Sequence, residues 1–389
     1  MITKQYNQEE NKNHPFPCAS MELSLSKLEN NIQKIKKLNR NQKLLFPIKA
    51  NAYGAGMIPV AKFLEAKKLC DYFGVASTDE AFLLRTNGIK TKILILGQVS
   101  NNSAELEYII ENNIELTVSN LETIELLEKI GQRKNQKFNV HLLVDTGMGR
   151  CGFLFKDLQE IIDIILFSKN IKLVGVMTHF PVSDSLDKSE INFTKNQISK
   201  IKNLKNYLAQ LTDIDKIIFH AANSGGLALS LNSGFDMIRP GIAAYGYPPK
   251  NLKIKLQPIF KLTSRVTLIK KYPAGHNIGY GLSYQTKKDN ELVAIIPVGY
   301  GDGLSRTLSN KLEIKIGKNF YKSVGRISMD QFAIRVDKNV KLGAEAIIIS
   351  DNPKDKNFCD KVAQLAGTIN YETLCSLGNS NRIIHHFFY

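Results

Sequence analysis

The sequence has little of what would cross a membrane, staple a secreted fold or hold a metal. No run approaches the roughly 20 consecutive apolar residues that span a bilayer. The five cysteines (Cys18, Cys70, Cys151, Cys359 and Cys375) are odd in number and scattered. They show neither metal-ligand spacing nor a disulfide framework, so no metal is expected and a reducing cytoplasm fits. The opening stretch, residues 1–10, is polar and lacks the apolar core of a signal peptide. Acidic residues are also in short supply: 36 Asp and Glu stand against 52 Lys and Arg, a net charge of +16. Such an excess raises nucleic-acid binding as an alternative. Its distribution argues the other way, because the lysines are spread through helix-like segments among Asn and Ile. No RNA-recognition motif, zinc-knuckle spacing or basic stretch interleaved with aromatics appears. The expected partners therefore include neither nucleic acid nor membrane, and the charge reads as a solvated basic surface.

What is present is a soluble-type composition, 43% hydrophobic, over 389 residues. That length accommodates two domains, or one large barrel with an appendage. Short apolar runs at 44–50, 73–77, 92–96, 114–118, 138–144, 172–178, 217–222 and 236–240 read as strands. Between them, stretches such as 57–69, 78–87, 103–112, 120–130, 156–168 and 191–211 have helical periodicity. Eight strands with intervening helices predict an α/β fold, a parallel (β/α)8 TIM-type barrel, with a doubly wound sheet as the alternative. An amphipathic segment at 27–38 precedes the first barrel strand. After about residue 255 the texture becomes rich in Val and Ile, in runs such as 262–270, 292–298, 312–316 and 344–350. Turn signals separate these runs, which predicts a mostly β C-terminal domain ending in a short helix near 361–366. The expected division is an N-terminal extension over 1–17, the barrel over 18–255 and the β-rich domain over 256–389.

Polar residues that carry chemistry fall at the ends of the predicted barrel strands, where barrel enzymes place their catalytic groups. Lys49 ends the first strand, Arg150 follows the fifth and His179 the sixth. Asn223 and Ser224 follow the seventh, and Arg239 the eighth. A lysine at the end of an apolar strand is costly to desolvate, and desolvation lowers its pKa and makes the amine a nucleophile toward an aldehyde. Singly, each has an ordinary explanation: a snorkelling lysine, a surface ion pair, a packed histidine. Five such groups on one rim are a less ordinary coincidence. The turn Asn223-Ser224-Gly225-Gly226 opens a predicted helix whose N–H groups attract an anion, and Arg239-Pro240-Gly241-Ile242 adds backbone donors.

The run Lys49-Ala50-Asn51-Ala52-Tyr53-Gly54-Ala55-Gly56 resembles the pyridoxal 5'-phosphate (PLP) attachment motif of alanine racemases, with Ala55 where histidine is common. The resemblance extends through Asp145-Thr146-Gly147-Met148-Gly149-Arg150, His179-Phe180, Ala222-Asn223-Ser224 and Arg239-Pro240-Gly241. It continues with Gly279-Tyr280-Gly281, Gly299-Tyr300-Gly301-Asp302-Gly303, Gly325-Arg326-Ile327-Ser328-Met329-Asp330 and Ile369-Asn370-Tyr371-Glu372. The resemblance implies that Lys49 is the Schiff-base lysine and the base on one face of the substrate α-carbon, with Tyr280 the acid/base on the other. Racemisation needs such an opposed pair, since one group removes a proton and the second returns it from the far side. It further implies that His179 and Arg239 form a relay behind Tyr280, and that Arg239 faces the pyridine nitrogen. Because arginine keeps its proton, the cofactor would then be a weak electron sink, which suits racemisation over transamination or elimination. Tyr53, Asn223, Ser224, Gly241, Ile242 and Tyr371 are implied to hold the cofactor. Met329 would meet the substrate carboxylate with Asp330 in support, and Tyr300 and Tyr371 would narrow the entry in favour of alanine. The implied assembly is a homodimer with shared active sites, Tyr280 reaching into the neighbouring subunit.

Two departures stand out. Leu143, two residues before Asp145, occupies the position where many alanine racemases carry a carbamylated lysine that fixes the arginine matching Arg150. Near the C-terminus, Arg382-Ile383-Ile384-His385 replaces a more usual Arg-x-Pro-Arg pattern, so that the second basic group is expected to titrate near neutral pH. The leading reading is a cytoplasmic alanine racemase supplying D-alanine for peptidoglycan. The alternatives are a racemase of broader or different specificity and a PLP decarboxylase of the same fold.

Overall fold

The structure is a computed structural model describing residues 17–230 and 234–389; the expected extension over 1–17 lies, but for its last residue, outside the described residues. The described residues divide into two compact units, one spanning 28–52, 57–230 and 234–256, the other 17–27, 53–56 and 257–389.

The strands, in chain order, begin with β1 (Ala19–Ser24). Next come β2 (Lys43–Pro47), β3 (Tyr72–Val75), β4 (Lys92–Ile95), β5 (Glu115–Val118), β6 (Phe138–Leu143), β7 (Ile171–Met177), β8 (Ile218–His220) and β9 (Met237–Ile238). Strands β2 to β9 close into a parallel barrel, each pairing with the next and β2 with β9. The eight-stranded barrel expected from the sequence is therefore present, with β7 as long as its apolar run and the other strands one to three residues shorter than theirs. The runs are legible because strands buried on both faces read as continuous apolar stretches. Tyr72 to Val75 and Ile93 to Ile95 are all buried. The intervening helices start where short polar side chains can accept from the first free backbone N–H groups. Ser77 accepts from the Glu80 N–H, Asn120 from Thr123, and Asp187 from Ser189 and Glu190. The amphipathic segment forms the helix Leu25–Leu38, burying Leu28, Asn31, Ile32 and Ile35 at helical spacing.

The second unit is a nine-stranded sheet completed by β10 (Phe260–Arg265), β11 (Leu268–Tyr272), β12 (Glu291–Ile296) and β13 (Glu313–Ile316). The remaining strands are β14 (Asn319–Val324), β15 (Phe332–Val336), β16 (Glu345–Ile349) and β17 (Ile383–Phe388). Their order is β11-β12-β15-β14-β13-β16-β10-β1-β17. Ile278, Val293, Val324 and Ala333 form a core within it, backed by Tyr272, Tyr284 and Ile295. The expected boundary needs one correction. Residues 18–27 group with the sheet unit and not with the barrel, and β1 (Ala19–Ser24) pairs antiparallel with β10 and parallel with β17. This pairing spans the length of the chain and leaves no local trace in the sequence. The expected terminal helix is Cys359–Ala366, and a second one, Asn370–Gly378, follows it.

Candidate active site

The segment after β2 is not an ordinary turn. The strand stops at Pro47, earlier than the expected 44–50, and Ala50, Asn51, Ala52 and Tyr53 all adopt left-handed conformation, with φ between 53° and 57°. Side chains with a Cβ resist this region at about 1–2 kcal/mol per residue. Hydrogen bonds hold it, two from nearby residues and one from Glu80. Ala52 N–H donates to the Ile48 carbonyl at 2.7 Å, Ala50 N–H to Glu80 Oε1 at 2.6 Å, and Met57 N–H to Asn51 Oδ1 at 2.7 Å. Strain over-determined by its surroundings in this way clusters at functional positions. Lys49, half-buried, stands at its start.

Arg239 follows β9 and is 4% exposed. Its Nη2, with two N–H bonds, donates to the carbonyls of Thr178 and Ala221 at 2.9 and 3.0 Å and shares one of them with His179 Nδ1 at 3.2 Å. Its Nη1 donates to His220 Nδ1 at 2.9 Å. Burial lowers its pKa to about 10, so the guanidinium stays charged at neutral pH. Burial, then the charges of Arg239, Arg150 and Lys49, push His179 down to about 3. At the strand ends the charges of Arg239, Arg150 and Lys49 thus all bear on His179. In that field His179 is neutral, and with Nδ1 accepting from Arg239 its proton resides on Nε2.

The two turns read as anion-binding lie together in the barrel unit. The Ser224 hydroxyl, buried, accepts from the Ala243 N–H at 3.1 Å. Asn223 donates to the Phe180 carbonyl and accepts from Ser183 Oγ and the Gly226 N–H. Arg239 N–H donates to the Ala222 carbonyl at 2.8 Å, and Gly241 N–H to the Arg239 carbonyl at 2.9 Å, tying the Gly241-Ile242 turn to the Asn223-Ser224 turn. This pair of loops, after the last two strands, is where barrel enzymes frequently bind phosphate.

Arg150 is exposed and closes a turn organised by Asp145, whose carboxylate accepts from the Gly147 and Gly149 N–H groups. Leu143, 3% exposed, ends β6 and lines one cleft with Arg150, Met148 and His179.

The remaining candidates belong to the sheet unit. Tyr53 and Tyr371 pack with ring centres 5.8 Å apart. Burial, then Tyr371 and Cys375, raise the Tyr53 pKa, keeping its hydroxyl a proton donor. Tyr280 is 69% exposed, and Leu282, Tyr300, Met329 and Ile369 are also uncovered. Tyr300 N–H and Gly301 N–H donate to the Ser328 and Met329 carbonyls, which sets these two loops side by side. Asp330 is ion-paired to Arg382, whose Nε reaches the buried Asp302 at 3.1 Å. The expected near-neutral titration of His385 does not hold. Burial, then the His386 charge, lower it to about 4, leaving it neutral at pH 7.

Sequence reasoning missed Thr178, His220, His141 and Glu115, which lie behind Arg239. The available signal was a polar residue inside an apolar strand run, as in Ile217-Ile218-Phe219-His220.

These features define a parallel-barrel protein with a strained, lysine-bearing turn and a cationic rim at its strand ends. The alanine racemase N-terminal domain matches residues 23–249 and the alanine racemase C-terminal domain residues 259–385. The chain belongs to the alanine racemase family. It is 38% identical to the alanine racemase of Treponema denticola over 365 residues, 91% of this chain and 94% of that one. It is 36% identical to alanine racemase 1 of Caldanaerobacter subterraneus over 378 residues, 95% and 94% of the two chains. Among solved structures it is similar to the alanine racemase of Clostridium difficile 630, with TM-score 0.86, 34% identity and 96% of each chain covered. It is similar also to that of Bacillus anthracis with bound L-Ala-P, with TM-score 0.85, 30% identity and 96% of each chain covered.

Proposed function

We propose that the chain is a PLP-dependent racemase that interconverts L- and D-alanine with two bases, Lys49 on one face of the α-carbon and Tyr280 on the other. The observation that carries this reading is the buried Arg239, bonded to His179 and His220 at the rim that also holds Lys49. The donor set fits the cofactor: an amine on a strained turn, a guanidinium, a buried serine hydroxyl and two turns of backbone N–H groups. PLP would supply an electron-withdrawing ring that acidifies the α-proton. Lys49 would hold the cofactor aldehyde and then take or return that proton. Ser224, Asn223, Gly241, Ile242, Tyr53 and Tyr371 would hold the phosphate end. Arg239, charged at neutral pH, would face the ring nitrogen without protonating it, which limits charge delocalisation and favours proton return over side reactions. Arg150 would steady the cofactor phenolic oxygen and the substrate carboxylate, the latter shared with the Met329 backbone.

Tyr280 would act in the site of a second copy, in a homodimer with shared active sites. Supporting this, Tyr280, Leu282, Tyr300, Met329 and Ile369 present uncovered apolar surface on the sheet unit, of the sort that marks interaction sites. Among the described residues no helix is long and apolar enough to cross a membrane, in keeping with the proposed setting, a cytoplasmic supply of D-alanine for peptidoglycan. The test is to incubate the purified protein with PLP and L-alanine and measure D-alanine. Racemisation with a cofactor absorbance band is expected. A protein without the band sinks the reading, and a band without racemisation assigns the site to another PLP reaction.

A further inference from the structure

Behind Arg239 a chain of hydrogen bonds crosses the barrel interior. Arg239 Nη1 lies 2.9 Å from His220 Nδ1, His220 Nε2 lies 2.8 Å from His141 Nδ1, and His141 Nε2 lies 2.8 Å from Glu115 Oε2. Both imidazoles are completely buried, and Arg239 and Glu115 are each 4% exposed. The chemistry of the two ends fixes the direction of every bond. Arginine only donates, so His220 Nδ1 must be bare and its proton must sit on Nε2. That proton is donated to His141 Nδ1, which is therefore also bare, and the His141 proton on Nε2 goes to the carboxylate. A doubly protonated His141 would press a second N–H on His220 Nε2, driving the His220 proton to Nδ1 against the guanidinium. The chain is consistent only with two neutral rings between a cation and an anion.

A buried guanidinium is costly without a counter-charge. We infer that Glu115 is the counter-ion of Arg239, acting through the His141 and His220 tautomers that it fixes, and that Glu115 and His141 are positioning residues for the arginine that faces the cofactor. The barrel is shaped for this arrangement. Gly175, the partner of His141 in the β6–β7 ladder, leaves room for the ring, since a Cβ there would sit 2.0 Å from His141 Nδ1. At the far end Glu115 Oε1 meets Lys92 Nζ and Tyr72 Oη, each at 3.3 Å. The Lys92 side chain is 60% exposed, so water screens its pull on the carboxylate. Arg239, wholly enclosed, has no such screening.

The kinetic part of this inference rests on the racemase reading; the tautomers do not. The experiment is a solid-state 15N spectrum of histidine-labelled holoenzyme, assigned with single His→Gln variants, beside kinetics of Glu115→Leu and Glu115→Gln. In the native protein His141 and His220 should both show bare Nδ1 and protonated Nε2. Glu115→Leu removes acceptor and charge together, so it should redistribute the signals of both rings. It should lower kcat by about tenfold or more, the scale of a mispositioned active-site group, with the KM for alanine little changed. Glu115→Gln keeps an acceptor, so it should retain the tautomers and recover part of kcat. A native His220 protonated on Nδ1, or a Glu115→Leu enzyme with native tautomers and kcat, overturns the assignment. Should Glu115→Leu fail to fold, the native spectrum and Glu115→Gln still decide it. If the native protein shows the expected tautomers but no racemisation, the racemase reading falls and the counter-ion chain stands.

Discussion

Arg239 Nη2 donates to His179 Nδ1 at 3.2 Å, which leaves the single proton of a neutral His179 on Nε2, the nitrogen turned away from the guanidinium. A neutral donor held in place by a charged one can hydrogen-bond a phenolate and favour it over the phenol. That is the support required by the role proposed for Tyr280, since a phenol must give up its proton before it can act as a base.

The shared-site proposal is tested by complementation. Lys49→Ala should abolish the cofactor band, and Tyr280→Phe should keep it while lowering kcat by about 10²–10⁴-fold, the usual contribution of a general acid–base. Mixing the two inactive variants and allowing subunit exchange should restore activity, because a hybrid dimer rebuilds one site with both native groups. No recovery in exchanged mixtures would place Lys49 and Tyr280 of one site on the same chain. Tyr280 is largely exposed, so the thermal midpoint of Tyr280→Phe should stay near native.

Leu143 offers neither an amine to carbamylate nor a hydrogen-bond acceptor, and it is buried beside the cleft that Arg150 lines. Activity measured with bicarbonate stripped from the buffer should therefore equal activity with bicarbonate added. Clear stimulation that disappears in a Leu143→Val variant contradicts this.

Stability should fall as the solution is acidified below about pH 6.5, the ordinary histidine pKa. His179, His220 and His385 are all held neutral by burial, with folded-state values of about 3 for His179 and about 4 for His385. Between those values and 6.5 the unfolded chain binds more protons than the folded one, so stability rises with pH across that window and levels off above it. Among the described residues, the buried Nε2 of His385 has no hydrogen-bond partner. His385→Leu should thus raise stability by about 1 kcal/mol even at pH 7 and flatten the acid loss. Denaturant titrations at pH 5 and 7 check both, and an unchanged pH slope in the variant contradicts the assignment.

Gly54 and Gly88 have almost the same φ, 84° and 83°, but different surroundings. A Cβ on Gly54 would lie 2.4 Å from the Leu374 carbonyl oxygen, whereas one on Gly88 would meet nothing within 4 Å among the described residues. Gly88→Ala should cost about 1–2 kcal/mol, the left-handed strain alone. Gly54→Ala should cost about 2–4 kcal/mol, strain and overlap together. Equal losses in thermal or chemical unfolding would show that the contact is soft.

The barrel was legible because parallel strands buried on both faces are mostly apolar, and because helix caps such as Ser77, Asn120 and Asp187 punctuate the chain locally. The site candidates at the rim were legible for a related reason: the ends of such strands are where polar residues are free to appear. The sheet was only partly so. The Val- and Ile-rich runs announced strands, but β1 joins partners from the far end of the chain, and no local pattern encodes that choice.

By itself the sequence marked the candidates for chemistry, since Lys49, His179, Arg239 and their neighbours are picked out by residue type and by position at strand ends. Tertiary structure alone decided their states. The left-handed turn after Lys49 is held by Glu80, thirty residues beyond Ala50. His385 was expected to titrate near neutrality, and burial moved it out of range. The line from Arg239 to Glu115 joins side chains of β5, β6 and β8, which only barrel closure brings within 3 Å of one another. Charge, tautomer and strain depend on what surrounds a group, and the surroundings come into being when the chain folds.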